Sequence, residues 1–169
     1  MNDRPSVIRL LRSFVTFAVL TVTVARADNP KPSYGLASEN RIQAQALVNE
    51  LMAQHADLVT AGIHAIPPGR EVPAIIASTL NVIGKPSDPE DVDVGARGFT
   101  QIVPNAKLGK IGVMLPLHDR TGRRIGALAL AFKYHDGDDQ VPAFAKATAI
   151  RDQVAQRIAA LAELFAPLP

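Results

Sequence analysis

Cysteine is absent from the 169 residues. That excludes disulfides, thiolate metal sites and cysteine nucleophiles. Tryptophan is also absent and aromatic residues make up only 5%, so a ligand cage walled by large aromatic rings is not expected. Neither G-x-S-x-G nor S-x-x-K occurs, and no glycine-rich phosphate loop follows an apolar run. His118 and Asp119 are neighbours in sequence, but adjacent side chains on a strand point to opposite faces and make a poor general-base pair. An enzyme is therefore not expected. The four histidines, His55, His64, His118 and His135, lack the H-x-x-x-H spacing of a zinc site. Two acidic clusters, Asp88, Glu90, Asp91 and Asp93, then Asp136, Asp138 and Asp139, lack the twelve-residue loop with a closing Glu that a calcium loop requires. They read instead as a helix start and a solvated turn, so no metal is expected.

What is present begins with a leader. Arg4, Arg9 and Arg12 precede the uncharged run Phe14 to Ala25, and Ala25-Arg26-Ala27 gives an A-x-A cleavage site. That order predicts a signal peptide over residues 1–27, its apolar run being too short for a comfortable membrane span. No other stretch approaches ~18 consecutive apolar residues, so no membrane span is expected once the leader is removed, and the mature chain is expected to be periplasmic or secreted. The leader takes four of the 18 Lys and Arg and one of the 16 Asp and Glu, leaving 14 and 15, a net charge of −1. The basic balance of the whole chain thus belongs largely to the leader. A nucleic-acid partner, which would need a clustered basic face, is not expected.

Residues 28–37 are rich in Pro, Gly and polar side chains and read as a flexible lead-in, followed by one domain over residues 38–166. Ser38 is placed to cap a helix in which Ile42, Ala46, Leu47, Leu51, His55 and Leu58 recur at helical spacing to about Val59. Strands are expected over Gly62–Ile66, Ala74–Val82 and Phe99–Val103. Between the last two, Asp88-Pro89-Glu90-Asp91 has the grammar of a helix start, though Gly95 and Gly98 limit that helix to a turn or two. A closing helix is expected from about Pro142 to Phe165.

The centre of the chain is the segment Lys110 to Tyr134. Two apolar runs, Ile111–Leu117 and Ile125–Phe132, flank the polar stretch His118 to Arg124, which contains Gly122. This reads as a β-hairpin. In its second arm Ile125, Ala127, Ala129 and Ala131 point one way and Gly126, Leu128, Leu130 and Phe132 the other. Both faces are apolar, so the hairpin is expected inside a sheet covered on both sides. The small side chains of one face leave room for a closely packed helix or for a small ligand. Five strands, short connections and helices at the ends predict an α+β fold with a five-stranded antiparallel sheet.

The run Pro116 to Leu128, PLHDRTGRRIGAL, resembles the "PL-x-D-x-x-G-x-x-IGAL" run in the last two strands of PAS-like and Cache extracytoplasmic sensory domains. Ile83-Gly84-Lys85 is similar to the "IGK" after an earlier strand of those domains. The resemblance covers roughly Ser38 to Tyr134. It implies a long N-terminal helix on one sheet face, a long closing helix, and a pocket on the other face roofed by the excursion between strands two and three. It also implies a small polar ligand such as an amino acid or short carboxylate. The usual membrane-attached signalling module does not follow the closing helix, so a separate signalling or transport partner is expected to read the domain, or the domain carries its ligand.

His64, mid-strand opposite Ile63 and Ala65, and Thr79 and Asn81, sharing one side of the second strand, supply hydrogen-bonding groups among apolar neighbours. Arg97, between Gly95 and Gly98, and Lys110 are cations suited to a carboxylate, the guanidinium because it binds both oxygens at once. No cofactor is called for by the residues, although the family permits haem, with His64 or His118 as the ligand. Pairing of the end helices into a homodimer, with no ligand at all, is the alternative of another class.

Overall fold

The computed structural model describes residues 34–168; the signal peptide and most of the lead-in expected ahead of them lie outside the described residues. Along the chain come α1 (Gln43–Gln54), β1 (Leu58–Ala65), β2 (Ala74–Ser78), α2 (Pro89–Arg97), β3 (Gln101–Asn105), β4 (Lys110–His118), β5 (Arg124–Lys133) and α3 (Val141–Arg157). The strands form one antiparallel sheet in the order β2-β1-β5-β4-β3. The fold is α+β, and β5 is its middle strand.

The expected hairpin is β4 and β5. Its turn is organised by Asp119, whose carboxylate accepts from the Thr121 N–H at 2.9 Å, the Thr121 hydroxyl at 2.6 Å and the Arg123 N–H at 3.1 Å. Gly122 supplies the left-handed residue at φ 85°. Asp119 is thus consumed by the turn and is no partner for His118 in acid–base chemistry.

Alternation along these strands divides the sheet into two unlike faces. Ile111, Val113, Leu115 and Leu117 of β4, Leu128, Leu130 and Phe132 of β5, and Ala61, Ile63 and Ala65 of β1 join one cluster. It is sealed by Leu47, Val48 and Leu51 of α1 and by Ala147, Ile150 and Val154 of α3. Each such Leu or Ile contributes about 1.5–3 kcal/mol relative to exposure. The opposite face carries Gly112 and Met114, Ala127, Ala129 and Ala131, and Gly62 and His64. Among the described residues α2 alone covers it, laying Val94 on Met114 and Ala127. A Cβ on Gly95 would meet the Gly126 backbone at 3.4 Å, so this glycine lets the helix lie close. Gly126 is the tightest position of all, since a Cβ there would stand 2.1 Å from the His64 carbonyl oxygen.

Several boundaries differ from the sequence reading, each for a non-local reason. Ser38 does not cap the first helix: residues Ala37–Glu39 are a 3-10 turn and Ile42 occupies the cap. There the Gln43 N–H donates to the Ala166 carbonyl at 2.9 Å and the Leu168 N–H to the Arg41 carbonyl at 2.8 Å, so the far end of the chain fixes the start of the helix. That helix stops at Gln54 because Leu58 and Thr60 pair with Phe132 and Ala131 of β5. β2 ends at Ser78, whose hydroxyl accepts from the Leu80 N–H at 3.0 Å and turns the chain. α2 runs nine residues through Gly95 and ends at the left-handed Gly98, φ 82°. The closing helix breaks at Ile158, whose carbonyl accepts from the Arg120 N–H of the hairpin turn at 2.9 Å. A separate 3-10 turn, Leu161–Phe165, follows.

Candidate functional site

A nine-residue helix spans ~13 Å, whereas the ten residues of β5 extend ~33 Å. α2 therefore covers only one end of its sheet face. Beyond it lies a cavity of about 310 Å³. Its floor is the small-residue patch: Gly62 of β1 pairs with Ala129 of β5, which pairs with Met114 of β4, and in the next row Thr60, Ala131 and Gly112 stand abreast. β2 and the loop after it supply Ser78, Leu80 and Val82, and β3 supplies Gln101, Val103 and Asn105. The small side chains thus lie under the helix at Ala127 and under the open cavity at Ala129 and Ala131.

His64 stands at the α2 end of the cavity, 7% exposed. Its Nδ1 is 2.9 Å from the Ser87 hydroxyl and 3.7 Å from the Asp91 carboxylate, both at the start of α2. Burial, the largest influence, holds the imidazole pKa below its ordinary value; Asp91 pulls it up, Lys85 down. The ring is neutral near pH 7. A proton on Nδ1 suits both the hydroxyl and the carboxylate beside it, and Nε2 makes no hydrogen bond among the described residues. Serine, histidine and aspartate together suggest a catalytic triad, but Ser87 and Asp91 meet the same ring nitrogen. A triad needs them on opposite nitrogens.

Lys110 lies at the other end of the cavity, half-buried, with no carboxylate within ion-pair distance among the described residues. The Oδ1 of Asn105 beside it accepts from the Leu108 N–H at 3.1 Å, and its amide N–H groups make no hydrogen bond among the described residues.

The remaining expected residues are elsewhere. Thr79 falls past the end of β2 and exchanges hydrogen bonds with the Ala61 backbone at 3.3 and 3.4 Å. Asn81 is exposed and accepts from the Ala37 N–H at 3.2 Å. Arg97 is exposed at the end of α2 and pairs with Asp93 at 3.3 Å. None of the three lines the cavity. The side of β2 that does is that of Ser78 and Leu80, because Ser78 pairs with Gly62 and so shares its face. His118 ends β4 near the charges of Arg151 and Arg124; burial first and then these cations lower its pKa. The acidic clusters are spent on structure: Asp88 pairs with Lys85 at 2.9 Å, Asp138 accepts from the His135 N–H at 2.7 Å, and Asp139 from the Val141 N–H at 3.0 Å.

Ser78, Gln101 and Asn105 escaped the sequence reading. Gln101 and Asn105 alternate with Val103 on one side of β3, a signal visible once that strand is bounded at Gln101–Asn105. Ser78 had no such signal. Its wall position depends on Gln45, 2% exposed, whose amide donates to the Ser78 carbonyl at 2.9 Å and accepts from the Ser78 N–H at 3.1 Å. A helix side chain thereby acts as a missing strand for the sheet edge.

No protein-family model matches the chain, and no curated protein matches it. Several solved structures are similar. One is a GAF domain, at TM-score 0.46 and 16% identity over 73% of this chain and 79% of that one. A second is the C-terminal domain of the E. coli transcriptional regulator KdgR, at TM-score 0.41 and 14% identity over 70% of this chain and 94% of that one. A third, from Rhodococcus sp., is assigned to the IclR family of transcriptional regulators, at TM-score 0.41 and 18% identity. The match covers 66% of this chain and spans 61% of that one, less than two thirds of its length. Likeness at this level says nothing of ligand or activity.

Proposed function

We propose that this chain is a sensory-type, non-enzymatic domain that binds a small carboxylate-bearing metabolite in the cavity over Gly62, Ala129, Ala131 and Gly112. The observation that carries the reading is that cavity itself: ~300 Å³ is the lower end of the size range of small-molecule sites, and such sites join apolar walls to a few polar groups. A lysine at one end with no carboxylate partner among the described residues supports an anionic ligand group. Amino acids and short carboxylates are the class that the PAS-like and Cache resemblance implies. Export to the periplasm or beyond rests on the leader pattern of residues 1–27. His64 offers a route from ligand to partner, because its ring joins the cavity wall to Ser87 and Asp91 at the head of α2. A ligand touching Nε2 would be felt by that helix, and a separate protein would read the change.

The test is a thermal-shift screen against carboxylates and amino acids, with native mass spectrometry of the protein purified from its host. A ligand at a hundred times its dissociation constant adds about 2.7 kcal/mol, which raises the midpoint by roughly 8 °C or more for a chain of this size. If no compound moves the midpoint at millimolar concentration and no small molecule travels with the protein, the reading is wrong.

A further inference from the structure

The cavity is two-ended, and its ends are far apart. His64 pairs with Ala127 of β5, while Lys110 pairs with Lys133 at the opposite end of the same strand. Six residue steps separate those rows, about 20 Å along the strand at ~3.3 Å per residue. An extended lysine stem spans ~6 Å and an imidazole ~4 Å at ordinary bond lengths; leaning toward each other along the strands, they would leave roughly half of that distance between their polar atoms. Between them the floor is mostly glycine and alanine with Thr60 and Met114, and the walls set Leu80, Val82 and Val103 beside the neutral polar Ser78 and Gln101, so the stretch is mainly apolar and carries no charged group. His64 is more than nine-tenths buried. Its Nδ1 is held by Ser87 and Asp91 on the α2 side, while Nε2, which makes no hydrogen bond among the described residues, keeps its lone pair for a ligand.

Resting on the ligand-binding reading above, we infer that the ligand is an elongated carboxylate, its anionic end at Lys110 and a hydrogen-bond donor, hydroxyl or amine, at Nε2 of His64, joined by an apolar body. Two polar ends about 10 Å apart require a chain of roughly seven to nine carbons at bond lengths near 1.5 Å. A two- or three-carbon acid can satisfy only one end at a time. It leaves the apolar floor wet and His64 unpaired.

The experiment is a calorimetric titration of the full chain with unbranched ω-hydroxy carboxylates of three to twelve carbons. Alkanoates of equal length and α,ω-diols serve as controls that change one end at a time. The dissociation constant should fall about three- to fourfold per added methylene up to about eight carbons, then rise. At the best length, removing the terminal hydroxyl should weaken binding about five- to tenfold. Replacing the carboxylate by a hydroxyl should weaken it about tenfold in the native protein and by less than twofold in Lys110→Gln. Tightest binding of the three-carbon acid, an affinity independent of length, or indifference to the terminal hydroxyl would overturn the inference and leave the cavity reading standing. Failure of the whole series and of amino acids alike would overturn both. Because the length and end-group controls alter the ligand, only the Lys110→Gln comparison depends on a variant folding.

Discussion

On the face covered by α1 and α3 the strands present Ile63, Leu128, Leu130, Ile111 and Val113; one residue along the same strands, the other face presents Gly62, Ala129, Ala131 and Gly112. Two helices and a 3-10 turn fill the first face, whereas one short helix covers only an end of the second. The same backbone thus supports a sealed core and an open floor, and side-chain size decides which is which. Large branched residues need a partner surface to leave water, so they draw helices onto them. Alanine and glycine bury little apolar area, so leaving them under a cavity costs little stability. The cavity sits where the fold can spare it.

This contrast predicts unequal costs. The largest effect is expected at Leu130, 2% exposed: Leu130→Ala should lose about 3 kcal/mol or more in urea unfolding, while Ala131→Gly, its neighbour on the open face, should lose about 1 kcal/mol or less. Equal losses would mean that the two faces are not distinct. Next comes Gly126→Ala, whose added carbon meets a backbone oxygen of β1 at 2.1 Å; a loss of about 2–3 kcal/mol is expected, and a stable variant would refute the close approach. Filling the floor with Ala131→Leu should change stability by less than about 1.5 kcal/mol, since the new side chain enters open space. Ligand affinity should nevertheless fall at least tenfold by calorimetry. Undiminished affinity would place the ligand elsewhere.

The smallest effect concerns pH. The fold keeps the His64 imidazole neutral, with its pKa below the 6.5 of the unfolded chain. Above pH 7 neither state gains a proton and stability is flat. Below 6.5 the unfolded chain takes up a proton that the fold refuses, so stability declines as pH falls toward the folded value, by no more than about 1.4 kcal/mol per pH unit. His118, also lowered by burial, acts in the same direction. Urea midpoints of His64→Gln between pH 7.5 and 5 should show a shallower decline than the parent; an unchanged slope would remove His64 as the cause.

Much of the fold was legible because its centre is local. The two arms of the hairpin and the turn residues Asp119 and Gly122 lie within 25 residues, and strand alternation alone separates the leucines from the alanines. The ends were less legible because distant partners set them. The first helix begins where Ala166 and Leu168 bond the chain at Gln43 and Arg41, a contact that periodicity cannot signal. The site divides in the same way. His64 and Lys110 stood out as polar residues on apolar strands, and the cavity holds both. Choosing Ser78 over Thr79 and Asn81 required the register of β2 on β1, which the pairing of Ser78 with Gly62 sets. Arg97 looked poised in a glycine-flanked loop, but the helix continues through Gly95, so Asp93 lies one turn before it and takes the guanidinium.

The open face can be interrogated directly through alanine methyl groups. Ala129 and Ala131 line the floor, while Ala44 and Ala147, both 0% exposed, are sealed on the other face. A methyl spectrum of alanine-labelled protein titrated with 8-hydroxyoctanoate should show saturable shifts at Ala129 and Ala131 and none at Ala44 or Ala147. Shifts confined to Ala44 and Ala147, or no saturable shift at any of the four with 8-hydroxyoctanoate, shorter carboxylates or amino acids, would contradict the claim that the small-residue half of the sheet is where this protein receives its ligand.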